Sequence, residues 1–162
     1  MSDVLALCHA LPEQQVPAGS ILIEEGVPVG RIYVLKQGAF DVVRNGVRVV
    51  GITEPGAFLG EISALLGSGP TADVVATKDS TVHVIDDAPI AARRNPELTY
   101  AIAQLLARRL QAVTSYLVDI KRQYADTDTH LGLMDQVLGN LMAMQPTTVL
   151  TRGSERSDVP DY

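Results

Sequence analysis

The sequence carries a single cysteine, Cys8, in 162 residues. No internal disulfide can form, and a reducing compartment is compatible with this usage. No apolar run approaches the ~20 residues that a membrane span requires. The opening stretch lacks the basic n-region of a secretory signal and carries Asp3 and Glu13. The expected location is therefore cytoplasmic, with no membrane partner. Positive charge is also scarce, with 13 Lys and Arg against 19 Asp and Glu, a net charge of -6. Duplex DNA is held by clustered Lys and Arg, so this balance argues against DNA as a partner. His9, His83 and His130 stand far apart, without Cys or His at ligand spacing. No metal site is expected, and each histidine reads as a surface or hydrogen-bonded residue. A GxxxxGK(S/T) loop is absent, and Gly60-Glu61-Ile62-Ser63 is not a GxSxG elbow. No catalytic constellation appears, so the chain is not expected to be an enzyme. The acidic pairs Glu24-Glu25 and Asp86-Asp87 read as solvated turns at strand ends.

The length suits one domain with an appendage and is enough for a core without covalent staples. Residues 3–11 have helical apolar spacing in Val4, Leu5, Leu7, Cys8 and Leu11, ended by Pro12. Cys8 on that face reads as a core residue. From Val16 to Ile85 the pattern changes to short strands with glycine punctuation, expected at 20–24, 31–37, 39–44, 47–52, 72–77 and 81–86. Asn45-Gly46 between two β-rich runs reads as a hairpin turn with both residues at positive φ. Such strands predict an all-β sandwich, roll or barrel. A plain jelly roll, as in cupins, is the competing fold. It usually holds metal-ligand histidines, and only His83 lies in the β region.

A short helix is expected near 87–95. Pro96 should open a long one reaching about Tyr124, with Glu97 at its positive end. Leu106, Leu110, Val113, Leu117, Ile120 and Tyr124 form a heptad-like seam. Leu98, Ile102 and Leu105 form a second stripe, suited to packing on the β domain. Residues 125–146 should begin with a polar break and hold an extra amphipathic helix, with Gly132 and Gly139 weakening it and Pro146 ending it. Residues 147–162 are polar and are expected to be a flexible tail.

One stretch, from Pro55 to Ala76, organises the rest. An apolar run reaches Gly60, Glu61 follows, and Ile62, Ala64, Leu65 and Leu66 have a helical pattern stopped by Gly67. A glycine immediately before a helix start suits an anion, because the first amides of a helix lack internal partners. Glu61 could accept from a hydroxyl beside that anion, and a sugar phosphate fits both. The plain alternative is a strand, a capped helical turn and a second strand.

This stretch resembles the phosphate-binding cassette of the cyclic-nucleotide-binding domain family, the β-roll of catabolite-activator-like proteins, kinase regulatory subunits and nucleotide-gated channels. Gly60, Glu61, Ile62, Leu65, Leu66, Ala72 and Val74 match its pattern. Gly19, Gly26, Tyr33, Leu35, Gly38 and Val42 fall in register with it, so the resemblance spans residues 17–120. It implies a β-roll of about eight strands with flanking helices over residues 1–124, the roll at about 16–86 and a lid or dimer helix at about 96–124. It also implies that Phe58, Leu59, Gly60, Glu61, Ile62, Ser63, Pro70, Thr71 and Ala72 meet a ligand such as cyclic AMP or cyclic GMP. In the family the glutamate takes the ribose 2′-hydroxyl, the following amides hold the phosphate, and an arginine pairs with it. Pro70 and Thr71 stand at the arginine positions, and no arginine lies between Arg48 and Arg93. The expected function is a regulatory sensor that binds a cyclic nucleotide weakly, or a related sugar phosphate. No resident cofactor is expected. A homodimer through Leu106, Leu110, Val113, Leu117 and Ile120 is implied as well. A ligand-blind dimerisation or protein-interaction module, with an unknown protein partner, is the alternative. A transcription regulator of the activator type is a third reading. It needs a helix-turn-helix, and only one helix and a tail are expected after Tyr124.

Overall fold

Residues 4–123, with positions 137, 139 and 140, are described in the structure, a computed structural model. The expectations for 125–146 and 147–162 lie outside the described residues. The chain divides into two compact units, one ending at Leu106 and one beginning at Ala107.

Eight antiparallel strands build the first unit: β1 Glu13–Val16, β2 Ile21–Ile23, β3 Ile32–Gln37, β4 Phe40–Arg44, β5 Val47–Ile52, β6 Phe58–Leu59, β7 Asp73–Ala76 and β8 Ser80–Ile85. The helices are α1 Val4–Cys8, α2 Glu61–Leu66, α3 Ala88–Arg94 and α4 Pro96–Gln123. One four-stranded sheet runs β1-β8-β3-β6 and the other β2-β7-β4-β5. The mainly-β expectation and the long C-terminal helix are borne out. The roll begins at Glu13 rather than near residue 16. The sequence reading also missed β6, whose two residues are too short to show alternation. Helix α1 stops at Cys8, short of the expected Leu11, where the Leu11 amide closes a turn on the Cys8 carbonyl at 2.9 Å.

The two central strands of the first sheet are covered on both faces. Strand β3 reads Ile-Tyr-Val-Leu through four buried positions, and all six residues of β8 are buried. Strand β3 accordingly reads as a continuous apolar run at those positions, whereas β8 buries Thr81 and His83 between its apolar residues. Alternation along these strands sorts side chains between two cores. Tyr33, Leu35, Leu59, Val82 and Val84 join Val16, Ile23, Phe40, Val74 and Ala76 inside the roll. Ile32, Val34, Phe58 and Ile85 point the other way, to Cys8, Ala64, Ala88, Leu98, Ala101 and Ile102 of the helices. The second stripe of the long helix thus packs as expected, with Leu105 partly buried against the same core, and Leu106, expected in the dimer seam, packs there as well. Burying each such aliphatic side chain contributes about 1.5–3 kcal/mol. Burial also pushes the Cys8 thiol up to about 11, which keeps it protonated and inert.

Two turns follow from their residues. Asn45 (φ 50°) and Gly46 (φ 75°) join β4 to β5 with both at positive φ, as a two-residue hairpin requires. Gly38 has φ 120°, and a Cβ there would come 2.6 Å from the Ser80 Cα. That contact sets β3 close over the start of β8, where the Ala39 amide donates to Ser80 Oγ at 3.1 Å.

His83 departs from expectation. It is buried on β8, and its Nδ1 has no hydrogen-bond partner. The strand register forces this: position 83 lies between β1 and β3, paired with Glu13 and with Val34.

Candidate functional site

The link from β6 to β7 holds every residue singled out from the sequence. Phe58 and Leu59 are buried in opposite cores. Gly60 then turns the chain at φ 82°, ψ 6°, the left-handed region, as N-cap of α2. An added Cβ would meet Ile23 Cδ1 at 2.9 Å and the Arg31 carbonyl oxygen at 3.3 Å. Glycine is therefore required here by conformation and by space. Glu61 is the first helical residue and is 3% exposed. A carboxylate is rarely so deep. No side chain caps the helix. The Gly60 carbonyl accepts from the Ala64 amide at 3.1 Å and from the Ser63 hydroxyl at 3.1 Å. Helix α2 ends at Gly67, also left-handed, at φ 66°.

The apolar residues of α2 are not a core face. Ala64 is buried, whereas Ile62 is 52%, Leu65 39% and Leu66 74% exposed. The helical period is correct, but only one side of this short helix meets the fold.

Beyond α2 the chain is stapled to the β2–β3 loop. The Gly26 amide donates to the Pro70 carbonyl at 2.8 Å, and the Glu25 amide donates to Asp73 Oδ1 at 2.7 Å. Pro70 and Ala72 are half-buried and Thr71 is exposed. The structure thus brings Gly60, Glu61, Ile62 and Ser63 together at one turn, with Pro70, Thr71 and Ala72 on the returning segment. Glu24 and Glu25 are exposed, as solvated turns should be, but the Glu25 backbone has a structural partner in Asp73.

Sequence reasoning missed Arg31 and Asp86 as a pair. Arg31 Nε donates to Asp86 Oδ1 at 2.5 Å, with side chains 48% and 57% exposed. The Asp86 carboxylate, and after it the Tyr33 phenol, raise the guanidinium above its ordinary value. The signal was register: Ile32 pairs with Ile85, so the next step brings Arg31 to Asp86. Among the described residues no three His, Cys, Asp or Glu side chains form a metal-holding group, and no helix is long and apolar enough to cross a membrane.

Comparison with known proteins agrees with this fold. Residues 13–92 match the family model described as the cyclic nucleotide-binding domain. A cGMP-dependent protein kinase of Caenorhabditis elegans is 31% identical over 84 residues, covering 52% of this chain and 11% of the kinase. A cAMP-dependent protein kinase regulatory subunit of Blastocladiella emersonii is 34% identical over 82 residues, covering 48% of this chain and 20% of the subunit. The chain thus spans between 11% and 20% of the length of these relatives. Among solved structures, the catabolite activator protein of Thermus thermophilus superposes with a TM-score of 0.62 at 23% identity, covering 75% of this chain and 60% of that one. A structure of Sp-2Cl-cAMPS bound to PKAR CBD2 superposes with a TM-score of 0.54 at 21% identity, covering 72% and 74%.

Proposed function

Residues 13–92 belong to the cyclic nucleotide-binding domain family, and from that premise we propose that the chain is a regulatory sensor that binds cyclic AMP, cyclic GMP or a related sugar phosphate weakly. The observation that carries this reading is the buried Glu61 directly behind the left-handed Gly60. In this reading Glu61 accepts from a ribose hydroxyl and the Ile62 and Ser63 amides face the phosphate. Phe58, Leu59 and Ala72 shape the surrounding wall. Pro70 and Thr71 stand where the family carries its phosphate-pairing arginine. A hydrogen bond to a charged group is worth about 1.5–3 kcal/mol, so losing that arginine weakens binding about tenfold to a hundredfold. Calorimetry with cyclic AMP and cyclic GMP tests this. Micromolar or weaker binding is expected; submicromolar binding overturns the weak-affinity part, and no binding by either nucleotide overturns the cyclic-nucleotide reading and leaves only the related sugar phosphate.

The long helix favours a second role beside the first, self-association. Leu110 is 48%, Val113 49% and Tyr116 64% exposed. These belong to the heptad-like seam or flank it, and a second copy of α4 would cover them.

A further inference from the structure

The cassette itself holds no cation: residues 49–77 contain neither lysine nor arginine. In residues 20–35, which supply β2, the following loop and the start of β3, Arg31 is the single basic residue. Three relations place it beside the site. Its carbonyl oxygen lies 3.3 Å from the position of a Gly60 Cβ. Tyr33 pairs with Leu59, the last ladder pair before Gly60 turns the chain into α2, so Arg31 lies just beyond the end of that ladder. Side chains alternate along β3, with Ile32 and Val34 on the helix side and Tyr33 and Leu35 inside the roll. Arg31 has the parity of Tyr33 and so belongs to the interior face, at its open end. Asp86 shares the parity of Val82 and Val84, on the same face.

From these relations we infer that Arg31 supplies the guanidinium that pairs with the ligand phosphate, in place of the absent cassette arginine. Asp86 engages Nε. A guanidinium has five N–H donors, so beside Asp86 and the Tyr33 phenol it keeps N–H groups for an anion. An exposed ion pair of this kind is worth ~0–1 kcal/mol, so Asp86 is a weak competitor for a desolvated phosphate. The anion is reached from β3 rather than from the segment after α2. This assignment rests on the sensor reading above.

The test is a titration of wild type, Arg31→Gln and Arg31→Lys with cyclic AMP and with adenosine, at two salt concentrations. Arg31→Gln is expected to weaken cyclic AMP binding about tenfold or more, and to abolish most of its salt dependence. Arg31→Lys should fall between, because a lysine keeps the charge and loses the fork. Adenosine, which has no phosphate, should bind all three proteins alike. Wild-type binding of cyclic AMP that Arg31→Gln leaves intact overturns this inference and spares the sensor reading. An equal loss of adenosine and cyclic AMP also overturns it, by showing a general disturbance of the site. No wild-type binding of either compound, nor of cyclic GMP in the same titration, overturns this inference together with the cyclic-nucleotide reading it rests on. Melting curves of the variants, expected to lie close to wild type for an exposed residue, verify that each is folded.

Discussion

His83 Nδ1 lies 4.0 Å from Glu13 Oε1, across a paired step of the β1–β8 ladder. Glu13 also accepts from Lys36 Nζ at 2.6 Å, which joins β1 and β3 across the buried strand between them.

That Lys36 hydrogen bond is the largest influence on Glu13 and holds its carboxyl below the ordinary 4.5, against partial desolvation and with help from the charges of Lys36 and His83. A carboxylate whose folded value is depressed stabilises the fold above its unfolded value, and this contribution is lost as pH falls through the folded one. Wild type should therefore melt at a higher temperature than Glu13→Gln at neutral pH. The difference should shrink below the ordinary value of 4.5. Paired melting curves across this range check it; a constant difference counts against the linkage.

Replacing His83 with leucine should leave stability unchanged or raise it. An unpaired buried polar group carries a desolvation cost of about 1–3 kcal/mol, which an apolar side chain of similar size does not. Chemical denaturation measures the change. A clear loss of stability would mean that the attraction of Glu13, 4.0 Å from Nδ1, outweighs the desolvation cost.

Gly60→Ala should destabilise the domain. The left-handed backbone alone costs about 1–2 kcal/mol with a Cβ present, and that Cβ would press on Ile23 Cδ1 at 2.9 Å. The melting temperature is the readout, and an unchanged value would show that the turn relaxes freely.

Glu61→Gln separates a binding role from a structural one. The amide keeps an acceptor oxygen and loses the charge that strengthens a hydroxyl contact. On the sensor reading, cyclic nucleotide affinity falls about tenfold or more while melting barely moves. Parallel titrations and melts decide it, and unchanged affinity removes Glu61 from the site.

Leu110→Asp combined with Val113→Asp should convert a dimer to a monomer, because two unpaired carboxylates would enter an apolar seam. Light scattering gives the mass of wild type and variant. A monomeric wild type ends the self-association reading.

The β architecture was readable because its signals are local. Asn45-Gly46 specifies a hairpin by conformational preference alone, and the glycine before Glu61 marks a turn for the same reason. What escaped depends on pairing across the chain. Phe58 and Leu59 become a strand only because β3 lies beside them. His83 is buried because β8 sits between β1 and β3, which nothing in its neighbours announces. Ile62, Leu65 and Leu66 have the period of a buried helix face, yet face solvent, because period fixes which residues share a side and not what covers it. Arg31 only opens the strand expected at 31–37, and it is the pairing of Ile32 with Ile85 that brings it to Asp86.

The two residues of β6 have a mechanical meaning. Leu59 belongs to the interior of the roll and Phe58 to the helical core with Leu98 and Ile102. A single peptide therefore sends one side chain into each core, and β6 pairs with β3 at two register positions. Successive side chains of a strand leave on opposite faces, so a shift of this short wall moves a side chain in each core. Whatever pushes on one side of that wall is felt on the other.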